Sequence, residues 1–256
     1  MKTTRRAGFC AAAKGGTAVP RFFLDTIPDD EAVILGEDAR HIAKSLRMRP
    51  GEEVTLCDCL GYDYRGEIAE VSPEAVRVRI LEICKSFAEP SVQVTLCQAL
   101  LKGDKMDWVV QKAVELGVRR IQPMVTARCV SRPDEKALSK KVQRWQKIAL
   151  EAAKQSGRGI IPEVLPAVSF QKAVKSSPKP RLLFYEGGGR RVPELLSETE
   201  TALSMFIGPE GGFADEEVAQ MEAEGGVRAT LGPRILRAET APLAALAAVM
   251  VVTGNL

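Results

Sequence analysis

At 256 residues the chain has room for two modest domains or one large one. Its 45% hydrophobic and 27% charged content is that of a globular protein, and no apolar run reaches the roughly 18–20 residues that span a bilayer. The net charge of +3 is too small to argue for nucleic acid by itself, and a single histidine leaves no basis for a His-built hydrolase triad or a zinc centre.

Residues 1–19 carry Lys2, Arg5, Arg6 and Lys14 and no acid, and they lack the apolar core of a secretory signal. They read as a disordered arm, with a basic RNA-touching tail or a transit peptide as the alternatives. Residues 20–88 alternate like strands at 53–57, 63–71 and 75–81, separated by the turn signals Pro50-Gly51, Leu60-Gly61 and Ser72-Pro73. Strands this short at this spacing suggest a small β-barrel. Residues 38–48 read as one short helix, and 89–90 lie at the domain boundary.

From Val92 onward strands and helices alternate. Strands are expected at 92–100, 119–125, 181–185, 203–207 and 227–231. Asp104 is placed to cap a helix to Leu116, with Gly117 after its end, and Asp134 to cap a long helix to Gln155. Asp215-Glu216-Glu217 begin a helix with acids where the macrodipole favours them. The last helix runs from Glu239 to Val252, with Pro242 in its first turn. This alternation argues an α/β domain over 91–256, with a parallel sheet covered by helices.

Charge is unevenly spread. Residues 101–160 hold 14 Lys and Arg against 6 Asp and Glu, net +8, while 186–224 hold 2 against 10, net −8. The basic segment suits a polyanion; a solvated helix face remains the alternative. The six cysteines (10, 57, 59, 84, 97, 129) show no Cys-x-x-Cys spacing and read as reduced thiols of a cytosolic protein. Cys57 and Cys59 would share one face of a strand. No Gly-x-Gly-x-x-Gly follows the first strand of the α/β region and no Gly-Lys-Ser/Thr loop occurs, so dinucleotide and phosphate-loop chemistry are disfavoured.

Two segments carry the functional signal: Ile207-Gly208-Pro209-Glu210-Gly211-Gly212-Phe213, and Leu231-Gly232-Pro233-Arg234-Ile235-Leu236-Arg237-Ala238-Glu239-Thr240-Ala241. Each follows a short apolar run and precedes a helix. Glycine there lets the backbone approach a flat ligand, and two such strand-end loops can wall one pocket.

These segments resemble the signature of the SPOUT superfamily of knotted methyltransferases, and most closely the RsmE-type family that methylates uridine N3 in 16S ribosomal RNA. Further blocks carry the resemblance: Pro20-Arg21-Phe22-Phe23, His41 to Arg47, Lys102 to Gly117 and Glu151 to Arg158. It spans residue 20 to the end. Two departures stand out. Ala238 occupies a usual threonine position, and Ala127-Arg128-Cys129-Val130 stands where the family reads Glu-Arg-Ser-Val.

The resemblance implies a PUA-like or OB-like RNA-binding barrel over 20–88, a trefoil-knotted α/β domain over 91–256, a homodimer, and metal-free methyl transfer from S-adenosyl-L-methionine in the cytoplasm. Its target would be the decoding region of the small ribosomal subunit (position 1498 in the conventional rRNA count). The cofactor would be held by Tyr185, Glu186, Gly187, Ile207, Gly208, Glu210, Gly211, Gly212, Leu231, Gly232, Ile235, Leu236 and Leu243. For the aliphatics, ordinary core packing is the competing reading. Losing the N3 proton needs a cation nearby, for which Arg237 is the first choice, and an acceptor, for which Glu239 and Glu210 are candidates. Glu239 could instead be an acid at a helix start, and Thr240 could position the base or cap that helix. RNA would meet Arg21, His41, Arg47, Lys102, Lys105, Arg128, Gln155, Arg158 and Arg234. For His41 a structural hydrogen bond is equally open. Ribose 2′-O-methylation and a non-enzymatic RNA-binding or assembly role are the rival functions.

Overall fold

The computed structural model describes residues 19–256 together with the backbone of Gly8–Phe9. Most of the expected disordered arm therefore lies outside the described residues, but Gly8–Phe9 pair as a strand. The chain divides into two units, one of Met1–Glu89 with Gly157–Ile161, the other of Pro90–Ser156 with Pro162–Leu256.

The first unit is a curled sheet of β1 (Gly8–Phe9), β2 (Arg21–Phe23), β3 (Glu31–Leu35), β4 (Glu53–Cys57), β5 (Tyr62–Val71) and β6 (Ala75–Lys85). The order is β1-β6-β5-β4-β2, with β3 also paired to β6. The β4–β5–β6 ladder and the β3–β6 pair are antiparallel. Register shifts at Arg65/Gly66 and Ile68/Glu70 bend the long β5–β6 pair, as extra unpaired residues do. Alternation sets the core: Ala32 and Ile34 of β3 and Val76, Val78 and Ile80 of β6 point inward onto Phe22, Val54, Leu56 and Ile68. Helix α1 (Gly36–Arg40) and the wider turn His41–Leu46 add Ala39 and Ile42 to this core. The expected helix thus begins two residues early and ends at Arg47, which adopts a left-handed φ of 53°.

Opposite charges face each other on the outer side of the sheet. Arg77 pairs with Glu31 and Glu70, Arg79 with Glu67, and Arg65 with Glu53 and Glu82. Among the described residues, Arg40, Lys44, Arg47 and Arg49 on the helical edge have no such partner.

Cysteine behaves differently from expectation in two respects. Cys84 is disulfide-bonded, whereas Cys57, Cys59, Cys97 and Cys129 are free thiols. Cys59 lies beyond the end of β4 with φ of 60°, so it does not share a strand face with Cys57. Burial pushes the Cys57 thiol up to about 12, so it is no thiolate at neutral pH.

Residues 157–161 join this unit through one carboxylate. Arg158, 2% exposed, donates to Glu89 from Nη2 at 2.7 Å and from Nε at 3.3 Å. Glu89 Oε1 also accepts the amides of Gly159 (2.9 Å) and Ile160 (3.0 Å). Arg21 is likewise internal, with its guanidinium on buried Asp63 at 2.7 and 3.0 Å. These two arginines, expected at RNA, are turned inward and committed to ion pairs.

The second unit is an entirely parallel sheet. Its strands are β7 (Gln93–Ala99), β8 (Arg120–Val125), β9 (Glu163–Val164), β10 (Val168–Ser169), β11 (Arg181–Phe184), β12 (Arg190–Arg191), β13 (Ala202–Ile207) and β14 (Val227–Thr230). The order is β10-β8-β7-β13-β11-β14-β12, with β9 beside β8. The central strands are near-continuous apolar runs, buried on both faces.

Five helices accompany the sheet: α2 (Lys105–Glu115), α3 (Glu135–Ser156), α4 (Phe170–Ser176), α5 (Asp215–Ala223) and α6 (Ala241–Val252). Helix α2 buries Met106, Val109, Val110, Ala113 and Val114, one stripe at helical spacing. Asp134 Oδ1 accepts the Ala137 amide at 2.7 Å, the expected cap. Asp104 precedes α2 but makes no side-chain cap. Helix α4 was not anticipated, although Ser169 caps it by accepting the Lys172 amide.

The order of three strands positions the cavity. Strand β14 lies between β11 and β12, which are consecutive in sequence, so residues 185–189 bridge across its end. The chain leaving β14 then returns as α6 to pack on α2 and β13.

Candidate active site

Strands β13, β11 and β14 are neighbours and parallel, so their carboxyl ends emit loops at one edge of the sheet. That edge is where open α/β sheets hold ligands. The loops wall a cavity of about 790 Å³, lined by residues 185–188, 207–212 and 230–236, with Phe184, Arg191, Ala238 and Ala241. Of the expected cofactor residues, Leu243 does not line it. Ile235 lines it and is 86% exposed.

The walls are closely fitted backbone. Gly212 has φ of 68°, and a Cβ there would collide with the Glu186 carboxylate. The triple glycine of the bridge, an unremarkable loop by sequence, is a close approach: a Cβ at Gly189 would lie 2.6 Å from the backbone of Arg228. Tyr185 donates from its hydroxyl to Asp215 Oδ1 at 3.2 Å, tying the bridge to the start of α5. Desolvation, then the Asp215 charge, raises that phenol above the usual tyrosine range.

The 127–130 segment is held by contacts to α5, to Thr126 and to the first glycine loop. Glu217 accepts the Ala127 amide at 2.8 Å and the Ala214 amide at 3.0 Å, joining that loop to α5. Cys129 sits buried with Sγ 3.2 Å from Thr126 Oγ1, a contact of the kind a serine would make. Arg128 donates to the Gly211 carbonyl at 3.1 Å. Ala238, at the usual threonine position, puts a methyl group where that hydroxyl would face the cavity.

The catalytic candidates divide into two groups. Glu239 Oε2 lies 2.9 Å from Lys105 Nζ, and Glu210 Oε1 lies 3.6 Å from the same ammonium while accepting the Lys102 amide at 3.1 Å. Lys105, expected at RNA, is therefore engaged internally. The Lys105 ammonium beside it, with a backbone contribution, holds the Glu239 carboxyl below the usual carboxylate range, and Glu239 in turn raises Lys105. The ion pair is present above the ordinary carboxylate range and is lost only as pH falls through the lowered Glu239 value or rises through the raised Lys105 value. A carboxyl held low is a poor proton acceptor, which argues against that role for Glu239.

Arg237 and Arg234 are exposed, and Arg234 lines the cavity. Thr240 precedes α6 and makes no side-chain cap, so the capping alternative fails. The last helix starts at Ala241, because residues 237–240 form a turn closed by the Thr240 amide on the Arg237 carbonyl at 2.8 Å. His41, Arg47, Lys102, Arg128 and Gln155 are exposed. Arg191 was missed: only the pairing of β12 with β14 brings it to the cavity, and no local pattern announces that.

A parallel sheet with three glycine-bearing loops around one cavity, in a chain that also carries a small curled β unit, defines a two-domain α/β protein that holds its ligand at strand ends. A family model for an RNA methyltransferase domain matches residues 88–250, and one for an RNA methyltransferase PUA domain matches residues 34–81. Ribosomal RNA small subunit methyltransferase E of Bacillus subtilis is 36% identical over 225 residues, covering 84% of this chain and 88% of that protein. The protein of the same name from Mycobacterium bovis is 32% identical over 244 residues, covering 91% and 92%. A crystal structure of ribosomal RNA small subunit methyltransferase E from Neisseria gonorrhoeae, bound to S-adenosyl methionine, matches with TM-score 0.82 and 33% identity, covering 91% of this chain and 98% of that one. The chain belongs to the ribosomal RNA small subunit methyltransferase E family. Among the described residues no helix is long and apolar enough to cross a membrane, and no group of three His, Cys, Asp or Glu side chains is placed to hold a metal.

Proposed function

We propose that this protein transfers a methyl group from S-adenosyl-L-methionine to N3 of a uridine in the decoding region of 16S ribosomal RNA. The observation that carries this reading is the convergence of three glycine-bearing loops on one cavity, in a chain of this family. A cavity of about 790 Å³ suits a nucleoside-sized cofactor, and the Glu186 and Glu210 carboxylates in its wall offset a cationic one. The bound cofactor supplies an activated methyl on a sulfonium, so no metal is needed.

The chain's own residues then have three tasks. The backbone of 207–212 and 231–236 holds the adenosine, with Tyr185, Glu186 and Gly187 at its side. Arg237 stabilises the negative charge left as N3 gives up its proton. Glu210 is the better placed acceptor of the two carboxylates, because the Lys102 amide and the nearer Lys105 contact both fall on Oε1 and leave Oε2 for the proton. Arg237→Ala is expected to keep cofactor affinity and to lose at least about tenfold in turnover, a loss of about 1.4 kcal/mol in transition-state stabilisation. Calorimetry with single-turnover kinetics checks it, and turnover within about threefold of wild type removes Arg237 from the reaction.

RNA docking in the first unit falls to its unpaired cations. The arginines of the sheet's outer face are neutralised, whereas Lys44, Arg47 and Arg49 beside His41 are not. Replacing Lys44 and Arg47 together by alanine is expected to weaken RNA binding for all sequences and to lower the salt slope by about two. Arg77→Ala leaves both unchanged. Filter binding across a salt series reads this, and the reverse pattern would move the docking face. Lys102, Arg128, Gln155 and Arg234 are the corresponding positions proposed on the second unit.

Self-association through α6 completes the reading. Its sequence has no charged residue over twelve positions, and Val251 is 58% exposed. Methyl transfer to small subunits that lack the modification, and to naked 16S RNA, tests the whole. N3-methyluridine as the product supports it, a 2′-O-methyl product keeps the cofactor and changes the target atom, and absence of cofactor binding favours a non-enzymatic RNA-binding role. Action on ribosomal subunits would place the protein in the cytoplasm.

A further inference from the structure

Three segments that follow the parallel strands β7, β13 and β14 meet at a single ammonium group. Lys105 begins α2, directly after the β7 loop. Glu210 lies in the loop after β13 and Glu239 in the loop after β14, 3.6 and 2.9 Å from Lys105 Nζ. Both of those loops wall the cavity, but Lys105 itself does not. The β7 loop makes a second link, through the Lys102 amide on Glu210 Oε1. All three side chains are partly shielded, with exposures of 34%, 26% and 27% for Lys105, Glu210 and Glu239.

We propose that Lys105 is a positioning residue for the cofactor: by pairing with both carboxylates it fixes the spacing of the two glycine loops that close on the ligand. This rests on reading the cavity as the S-adenosyl-L-methionine site. Without the ammonium, two carboxylates on separate loops lose the counter-charge they share, and like charges part. Lysine suits this place because its three donors sit on one point charge and can serve two acceptors that are not coplanar. Binding a preformed cavity costs less than binding one that must be gathered, so the loss should be read in cofactor affinity first.

The test is calorimetric titration of S-adenosyl-L-methionine into wild type, Lys105→Met and Lys105→Arg. The Met variant is expected to bind on the order of tenfold more weakly with unchanged stoichiometry, and the Arg variant to stay within about threefold. RNA affinity and its salt slope should not move. Adding Glu239→Gln to the Met variant should recover part of the lost affinity, because it removes the repulsion; a merely structural lysine would show no such rescue. If Lys105→Met does not fold, Glu239→Gln alone gives the reading, with a several-fold loss expected. Cofactor affinity unchanged in the Met variant, or lost equally in the Met and Arg variants, overturns the proposal. RNA binding lost with cofactor binding intact overturns it in favour of an RNA contact. Failure of the wild type itself to bind the cofactor overturns the cavity reading and this inference with it.

Discussion

Gly212→Val is expected to abolish cofactor binding, with affinity falling by at least about 100-fold. Two effects add at this position. The backbone has φ of 68°, where a non-glycine residue costs about 1–2 kcal/mol and a β-branched one more. The new Cβ also collides with the Glu186 carboxylate, which must swing from its place in the cavity wall. Gly232→Ala separates the two. Its φ is 99°, but no atom lies within 4 Å of the Cβ position, so only the backbone strain remains. Equilibrium dialysis with labelled S-adenosyl-L-methionine should rank the variants wild type, Gly232→Ala, Gly212→Val. Binding by Gly212→Val within about threefold of wild type would mean that the ligand does not lie against this wall.

Arg158→Ala is expected to be the most damaging substitution for stability, at about 3–5 kcal/mol in denaturant unfolding. The cause is the partner left behind. The Glu89 side chain is 14% exposed, and it was neutralised by a guanidinium that is 2% exposed. Removing the arginine strands a carboxylate on two amides, those of Gly159 and Ile160. Because a whole domain is stable by only about 5–15 kcal/mol, this is a large share. Replacing both partners by apolar residues of similar volume, Arg158→Met with Glu89→Leu, should recover much of the loss. A loss below about 1 kcal/mol for the alanine variant would show the pair to be solvated in solution.

This arginine also shows where sequence reading stops. Its block, 151–158, identified the family, yet the block says nothing about burial. A guanidinium serves phosphate and carboxylate with the same fork, and only the fold reveals Glu89 across from it. Arg21 fails for the same reason, through Asp63. Lys105 is subtler, since its partners come from loops more than a hundred residues away in the chain. The glycine segments were legible because their requirement is local: a strand end, a tight turn, a helix start. The parallel sheet was legible from buried apolar runs alternating with helical stripes. Helix α4 and the two-residue strands β9, β10 and β12 were not, being too short to show a period. Arg191 reaches the cavity only because β12 pairs with a strand that follows it by more than thirty residues.

That pairing has a consequence for the life of the chain. The place for β14 is a slot between β11 and β12, left open until residues 227–230 arrive to fill it. The third wall of the cavity and α6 come after that. A growing chain that has emerged only as far as residue 213 owns the bridge and the first glycine loop but lacks the third wall they close against. Ligand affinity should therefore switch on only once residues 227–236 have left the ribosome, and a protein cut short before them should be unable to hold its cofactor at all.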